Sequence, residues 1–161
     1  MNIHKITVFF IFLSHINTPF SQNNNIIPEP TKQTIKQGYF SINENPNIIS
    51  EFEFNSAATL LKNTLKKLNS ISEKKSKNVI IFSKNKKLDL EEYTLDINSD
   101  EIIIEASSHL GAIYACQSLK QLILLNNREG SVKIQSQFIK DSPRFKYRGM
   151  HLDVGRHMYS V

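Results

Sequence analysis

The sequence is poor in the features that staple a chain or carry it through a membrane. Cys116 is its single cysteine, so no disulfide can close within the chain and a cysteine-rich metal site is excluded. Its place in an apolar helical pattern marks a small core residue and not a nucleophile. No apolar run reaches the ~20 residues that a transmembrane helix needs, and the 161 residues hold no internal repeat or low-complexity tract. Charge of one sign is only in modest excess: lysine and arginine outnumber the acids by 20 to 15, a formal +5. Many of the lysines gather in surface-like patches at 66–67, 74–77 and 84–87 with little aromatic interleaving. That pattern reads as a solvated basic face and argues against a nucleic-acid partner.

What is present suits one globular domain. Apolar residues are 40% and charged residues 22%, near globular norms, and a domain of ~100–150 residues can bury a proper core. Residues 1–21 carry a short positive start at His4 and Lys5, then the apolar run 6–16 broken only by Thr7, Ser14 and His15, and a small residue, Ser21. This is the pattern of a secretory signal peptide. The expected product is exported to the periplasm, the cell surface or the medium, with no stable membrane span once the signal is removed.

Along the rest of the chain, hydrophobic period sorts the elements. Residues 26–30 (IIPEP) are extended, because each residue before a proline is pushed away from helical geometry. Residues 38–42 read as a strand and 43–47 as a turn. Asn55 or Ser56 can cap a helix with Ala57, Ala58, Leu61, Leu65 and Leu68 on one face. Residues 79–82 form a continuous apolar run, predicting a strand covered on both faces. Residues 92–97 and 101–105 predict a hairpin. Ser107 or Ser108 caps a second helix, with Ala112, Ala115, Cys116, Leu119, Leu122 and Ile123 at helical spacing and Asn126 and Asn127 at its end. A last strand covers 131–139. The order β-α-β-β-β-α-β predicts an α+β fold, a β-sheet with two helices on one face. The acidic pairs Glu91-Glu92 and Asp100-Glu101 fall at hairpin ends and read as surface charges.

Residues 141–161 hold the densest group of site-forming side chains, with arginines, histidines, aspartates and aromatics close together. Pro143 restricts Ser142, so 140–144 reads as a linker. The stretch 145–154 then alternates, with Tyr147, Gly149, His151 and Asp153 on one face and Arg148, Met150, Leu152 and Val154 on the other, predicting a new strand. His151, Asp153 and His157 lack the spacing of a defined metal site, and no metal or other cofactor is expected.

The run SPRFKYRGMHLDVGRH, residues 142–157, closely resembles the segment that opens the catalytic barrel of the family 20 glycoside hydrolases, the β-N-acetylhexosaminidases. The resemblance continues upstream: residues 26–30 resemble that family's IPxP opening, and Tyr93, Thr94, Leu95, Ala106 and the run GAIYACQSLKQL at 111–122 resemble its N-terminal domain. It implies a signal peptide at 1–21, a non-catalytic, zincin-like α/β domain at 22–140, and at 141–161 a linker and the truncated first strand of a TIM (β/α)8 barrel. Such a barrel needs about 250 residues. The family's catalytic Asp-Glu pair, in a His-x-Gly-Gly-Asp-Glu motif, occurs nowhere in these residues, so the chain by itself is expected to be inactive.

The implied reaction is substrate-assisted retaining hydrolysis of terminal, non-reducing N-acetyl-β-D-hexosamine, with a carbohydrate as the partner. Arg148 is implied to bind the sugar's 3- and 4-hydroxyls, a task that suits a planar fork of donors. Asp153, Arg156 and His157 are implied to support the strand end and the following loop. The alternative is a stand-alone interaction module or gene remnant, against which an uncovered apolar strand at 145–154 would count as an aggregation liability.

Overall fold

The structure, a computed structural model, describes residues 26–42, 44–68, 72–128 and 131–150. Residues 1–21, expected to be a signal peptide, and Asp153, Arg156 and His157 lie outside those residues. The elements in order are β1 (Lys32–Ile42), β2 (Glu44–Ser50), a 3-10 turn (Phe52–Phe54), α1 (Asn55–Lys66), β3 (Ser72–Lys84), β4 (Tyr93–Ile97), β5 (Glu101–Ala106), α2 (His109–Leu125), β6 (Asn127–Arg128) and β7 (Ser131–Asp141). The strands form one mixed sheet in the order β1-β7-β4-β5-β3-β2, with β6 added to β7. β3 runs parallel to both β2 and β5, and the remaining pairs are antiparallel.

Alternation places the core on one face of that sheet. Ile80 pairs with Ile102 and Phe82 with Ile104, and Leu95 connects Ile104 to Ile139. All six are buried beneath the helices. Burying each such side chain contributes ~1.5–3 kcal/mol, so this lattice is the main stabilising term for the sheet. α2 lies over β4, β5 and β7, and α1 packs beside it, toward β2. Ala57, Ala58, Leu61 and Leu65 are buried as the helical spacing predicts.

Three expectations are corrected. Of the turn expected at 43–47, residues 44–47 belong to β2, an edge strand; its pairing shifts register between Asn45 and Asn47, around Pro46, whose missing N–H a sheet edge tolerates. The run 79–82 is covered on one face only: Val79 and Ile81 remain half-buried because both helices lie on the side of Ile80 and Phe82. Neither Asn55 nor Ser56 caps α1, since the 3-10 turn leads straight into it and no side chain caps its first turn. Asn55 instead accepts a hydrogen bond from Ser50 Oγ at 2.9 Å. Residues 142–150 carry no strand, and 151–154 of the strand expected at 145–154 lie outside the described residues.

Candidate functional site

Two segments meet beside α2. The chain enters the domain through residues 26–31 and leaves it after β7, and hydrogen bonds tie entry to exit. Asp141 Oδ1 accepts from both the amide and the hydroxyl of Thr31 at 3.0 Å, and Arg144 donates to the Glu29 carbonyl at 2.9 Å. From α2, Gln121 clamps one residue of the entry segment. Its Oε1 accepts from Ile27 N and its Nε2 donates to Ile27 O, both at 2.9 Å. A cleft of about 470 Å³ opens between these segments and α2, with Tyr93 and Ser118 among its lining. Tyr93 Oη and Ser118 Oγ are 2.6 Å apart. Burial pushes the Tyr93 phenol up to about 12, against the pull of its hydrogen bond to Ser118.

At the rim of the cleft stands Arg148. Its Nη1 donates to Phe145 O at 2.6 Å and its Nη2 to Glu91 Oε1 at 2.5 Å. The same carboxylate oxygen accepts from Tyr114 Oη on α2 at 3.0 Å. The Arg148 hydrogen bond, then that of Tyr114, holds the Glu91 carboxyl below its ordinary range, and Glu91 in turn raises the arginine.

Local sequence fixes where Glu91 sits. It lies in the β3–β4 connection, which opens on a turn from Asn85 to Leu88. Ser107 Oγ donates to Asp89 O at 2.7 Å and Ser108 Oγ to Leu90 O at 2.5 Å. Ser108 also caps α2 as expected, accepting from Leu110 N at 3.1 Å. One turn on, Gly111 lets the connection lie against the helix: a Cβ there would stand 2.5 Å from the Glu92 carbonyl oxygen. The sequence that starts α2 therefore also positions a carboxylate.

The reading of Glu91 and Glu92 as plain surface charges is thus corrected. Glu91 is paired as described, and Glu92 takes Lys140 at 3.0 Å and the Asp89 amide at 3.1 Å. The Lys140 hydrogen bond leads in holding Glu92 low. Asp100 is exposed at the β4–β5 turn, as expected. Cys116 is the buried core residue expected, its thiol pushed up to about 12 by burial. Of the predicted site residues only Arg148 falls within the described region. Neither Glu91 nor Tyr114 was given a site role from sequence. The signal that points to them is Gly111, a lone glycine inside a strong helical pattern, which marks a close backbone approach. Among the described residues no group of three or more His, Cys, Asp or Glu could hold a metal ion, and no helix is long and apolar enough to cross a membrane.

Comparison with known proteins agrees with this architecture. The family described as "Glycosyl hydrolase family 20, domain 2" matches residues 23–142. A β-hexosaminidase of Porphyromonas gingivalis is 32% identical over 157 residues, covering 88% of this chain and 20% of its own length. One from Vibrio furnissii is 39% identical over 82 residues, 51% of this chain and 13% of its own length. Among solved structures, the exo-β-N-acetylglucosaminidase of Vibrio harveyi in complex with N-acetylglucosamine superposes with a TM-score of 0.71 at 33% identity, over 84% of this chain and 21% of that one. The chain thus spans about a fifth or less of these relatives' lengths. Overall fold and sequence agree, and the chain belongs to glycosyl hydrolase family 20, of which it carries the α+β domain 2.

Proposed function

We propose that these residues are the non-catalytic domain of an exported β-N-acetylhexosaminidase, with Arg148 contributed to its sugar site. The match of residues 23–142 to domain 2 of the family carries the reading. The relatives' names, β-hexosaminidases and an N-acetylglucosaminidase, support the substrate class. In the reaction, the sugar's own 2-acetamido oxygen attacks the anomeric carbon. An aspartate stabilises the oxazolinium that forms, and an adjacent glutamate protonates the leaving oxygen. The His-x-Gly-Gly-Asp-Glu motif for those two carboxylates is absent from the 161 residues. This chain's part is to fold as the side domain and to deliver Arg148, whose fork of donors suits the vicinal 3- and 4-hydroxyls.

The test is to read the coding sequence past Val161 and assay the product on an aryl N-acetyl-β-glucosaminide. Hydrolysis by a polypeptide that includes a downstream Asp-Glu pair, and none by the 161-residue chain, is the expected result. Turnover by the 161-residue chain alone would refute the assignment of both catalytic acids to residues outside it.

A further inference from the structure

We propose that the bulge at residues 36–38, pinned through Lys36 to Asp96, guards the free edge of the sheet and keeps a second copy of this chain from adding to β1. The sheet ends in β2 on one side and in β1 on the other. β2 is interrupted by Pro46 and by shifts of register. β1 is 11 residues long and has no proline, and among the described residues it pairs only with β7. Ile35 and Tyr39, on either side of the bulge, are each about half exposed. An edge of that length and composition is a template for another strand unless something interrupts it.

The bulge supplies the interruption. From Ile35 to Tyr39 β1 advances four residues while β7, from Gln137 to Gln135, advances two. Two residues are therefore left over and leave the ladder. Gly38 makes the bend: its φ of 98° lies in the left-handed region, and a Cβ there would stand 2.8 Å from Ser99 Oγ and 3.4 Å from Ser136 Oγ. Lys36 sets the direction. Its ammonium pairs with Asp96 and donates to Asn98 Oδ1 at 3.2 Å, so the side chain reaches past β7 to β4, the second strand in from β1.

Asp96 pairs in register with Phe138 and Ile103 and points away from the face that buries its neighbours Leu95 and Ile97. The Lys36 stem thus crosses β7 on the side without helices. A loop that only absorbed two extra residues would leave its lysine in water; this one is drawn inward over the sheet and breaks the edge at mid-strand. With side chains 36% and 31% exposed, the Lys36–Asp96 pair stabilises the fold little, and its effect is one of position. No residue after β7 takes part in these contacts.

Sedimentation velocity on the 161-residue chain tests the guard. It compares the wild type, K36M, D96N, a deletion of residues 36 and 37, and the same deletion carrying Y39K. The deletion restores one-to-one register with β7 and leaves the edge flush. It should self-associate as concentration rises while the wild type stays monomeric, with K36M and D96N between the two. Y39K should return the deletion to monomer, because a lysine on an edge strand opposes pairing. A folded deletion that stays monomeric, a wild type that associates equally, or association that Y39K does not reverse overturns the guard. K36M and D96N that stay monomeric overturn the pin, whether or not the deletion folds.

Hydrogen exchange gives a second readout of the pin. Amides 36–39 should exchange faster in K36M by up to about fivefold, the scale of an exposed ion pair. D96N should match it, and K36M/D96N should add nothing further. Unchanged exchange in K36M, or additive changes in the double variant, would overturn the pin.

Discussion

Gly111 sits in the first turns of α2, where on propensity alone alanine would be preferred by about 0.5–1 kcal/mol. The structure reverses that sign. A Cβ at this position would lie 2.5 Å from the Glu92 carbonyl oxygen and 3.2 Å from Ala106 Cβ. The nearest obstacle is backbone and cannot swing aside, so overpacking at about 1–3 kcal/mol outweighs the gain in propensity. G111A is therefore expected to lose stability by urea denaturation, and a stabilised G111A would show that the β3–β4 connection yields easily. The glycine itself is legible in the sequence as an oddity within a helix. Its partner is not, because nothing in local pattern says which carbonyl arrives from an earlier loop. Glu91 escaped notice for the same reason: on paper it is one acid of a pair at a hairpin end, and only Tyr114 and Arg148 give it a task.

At the scale of elements, α2 organises the domain, and Tyr93 joins β4 to it through Ser118. Y93F removes a buried hydroxyl and leaves that of Ser118 without this partner, at a cost of about 1–2 kcal/mol near neutral pH. The same contact makes the fold sensitive to alkali. Burial raises the phenol from 10.0 to about 12, so the protonated form is the one the fold favours. Its contribution is complete below pH 10 and is lost as the pH rises toward 12. Cys116, raised from 9.0 to about 12, acts in the same sense. Urea midpoints for the wild type should therefore fall between about pH 8 and about pH 11, and fall less steeply in Y93F. Equal slopes would mean that the phenol ionises as easily in the folded state as in the unfolded one. Periodicity made α2, its Ser108 cap and the β4–β5 hairpin readable. β2 was not, because Asn45, Pro46 and Asn47 have the composition of a turn, and only the free edge beside β3 makes them a strand.

Over the whole molecule, the sheet order brings the entry segment and the exit segment to one place. Two charge pairs there involve acids of the β3–β4 connection: Glu91 with Arg148 and Glu92 with Lys140. Both acids are held below their ordinary 4.5. The sign follows from the depressed values: their contribution is present above the unfolded value and is lost as the pH falls through the folded one. The hold on residues 142–150 should therefore be full at neutral pH and weaken below about 4.5. Arg144 on the Glu29 carbonyl has no such dependence, so the release is expected to be partial. Nitrogen-15 relaxation of residues 145–150 across that range measures it, and E91Q should mimic the acid state at neutral pH. Relaxation that stays flat on acidification would show that the backbone contacts alone hold the segment.

The sequence by itself determined which faces of the helices and strands are apolar, where α2 begins, that Cys116 is a core residue, and which family the motifs resemble. These are written in short-range spacing, because a helix or strand repeats its inward face every few residues. Only the tertiary structure decided that β2 joins the sheet, that β3 is covered on a single face, and that Glu91 meets Arg148 across 57 positions of sequence. Such facts depend on where a distant edge, helix or loop comes to lie, and a contact between remote residues has no period to read.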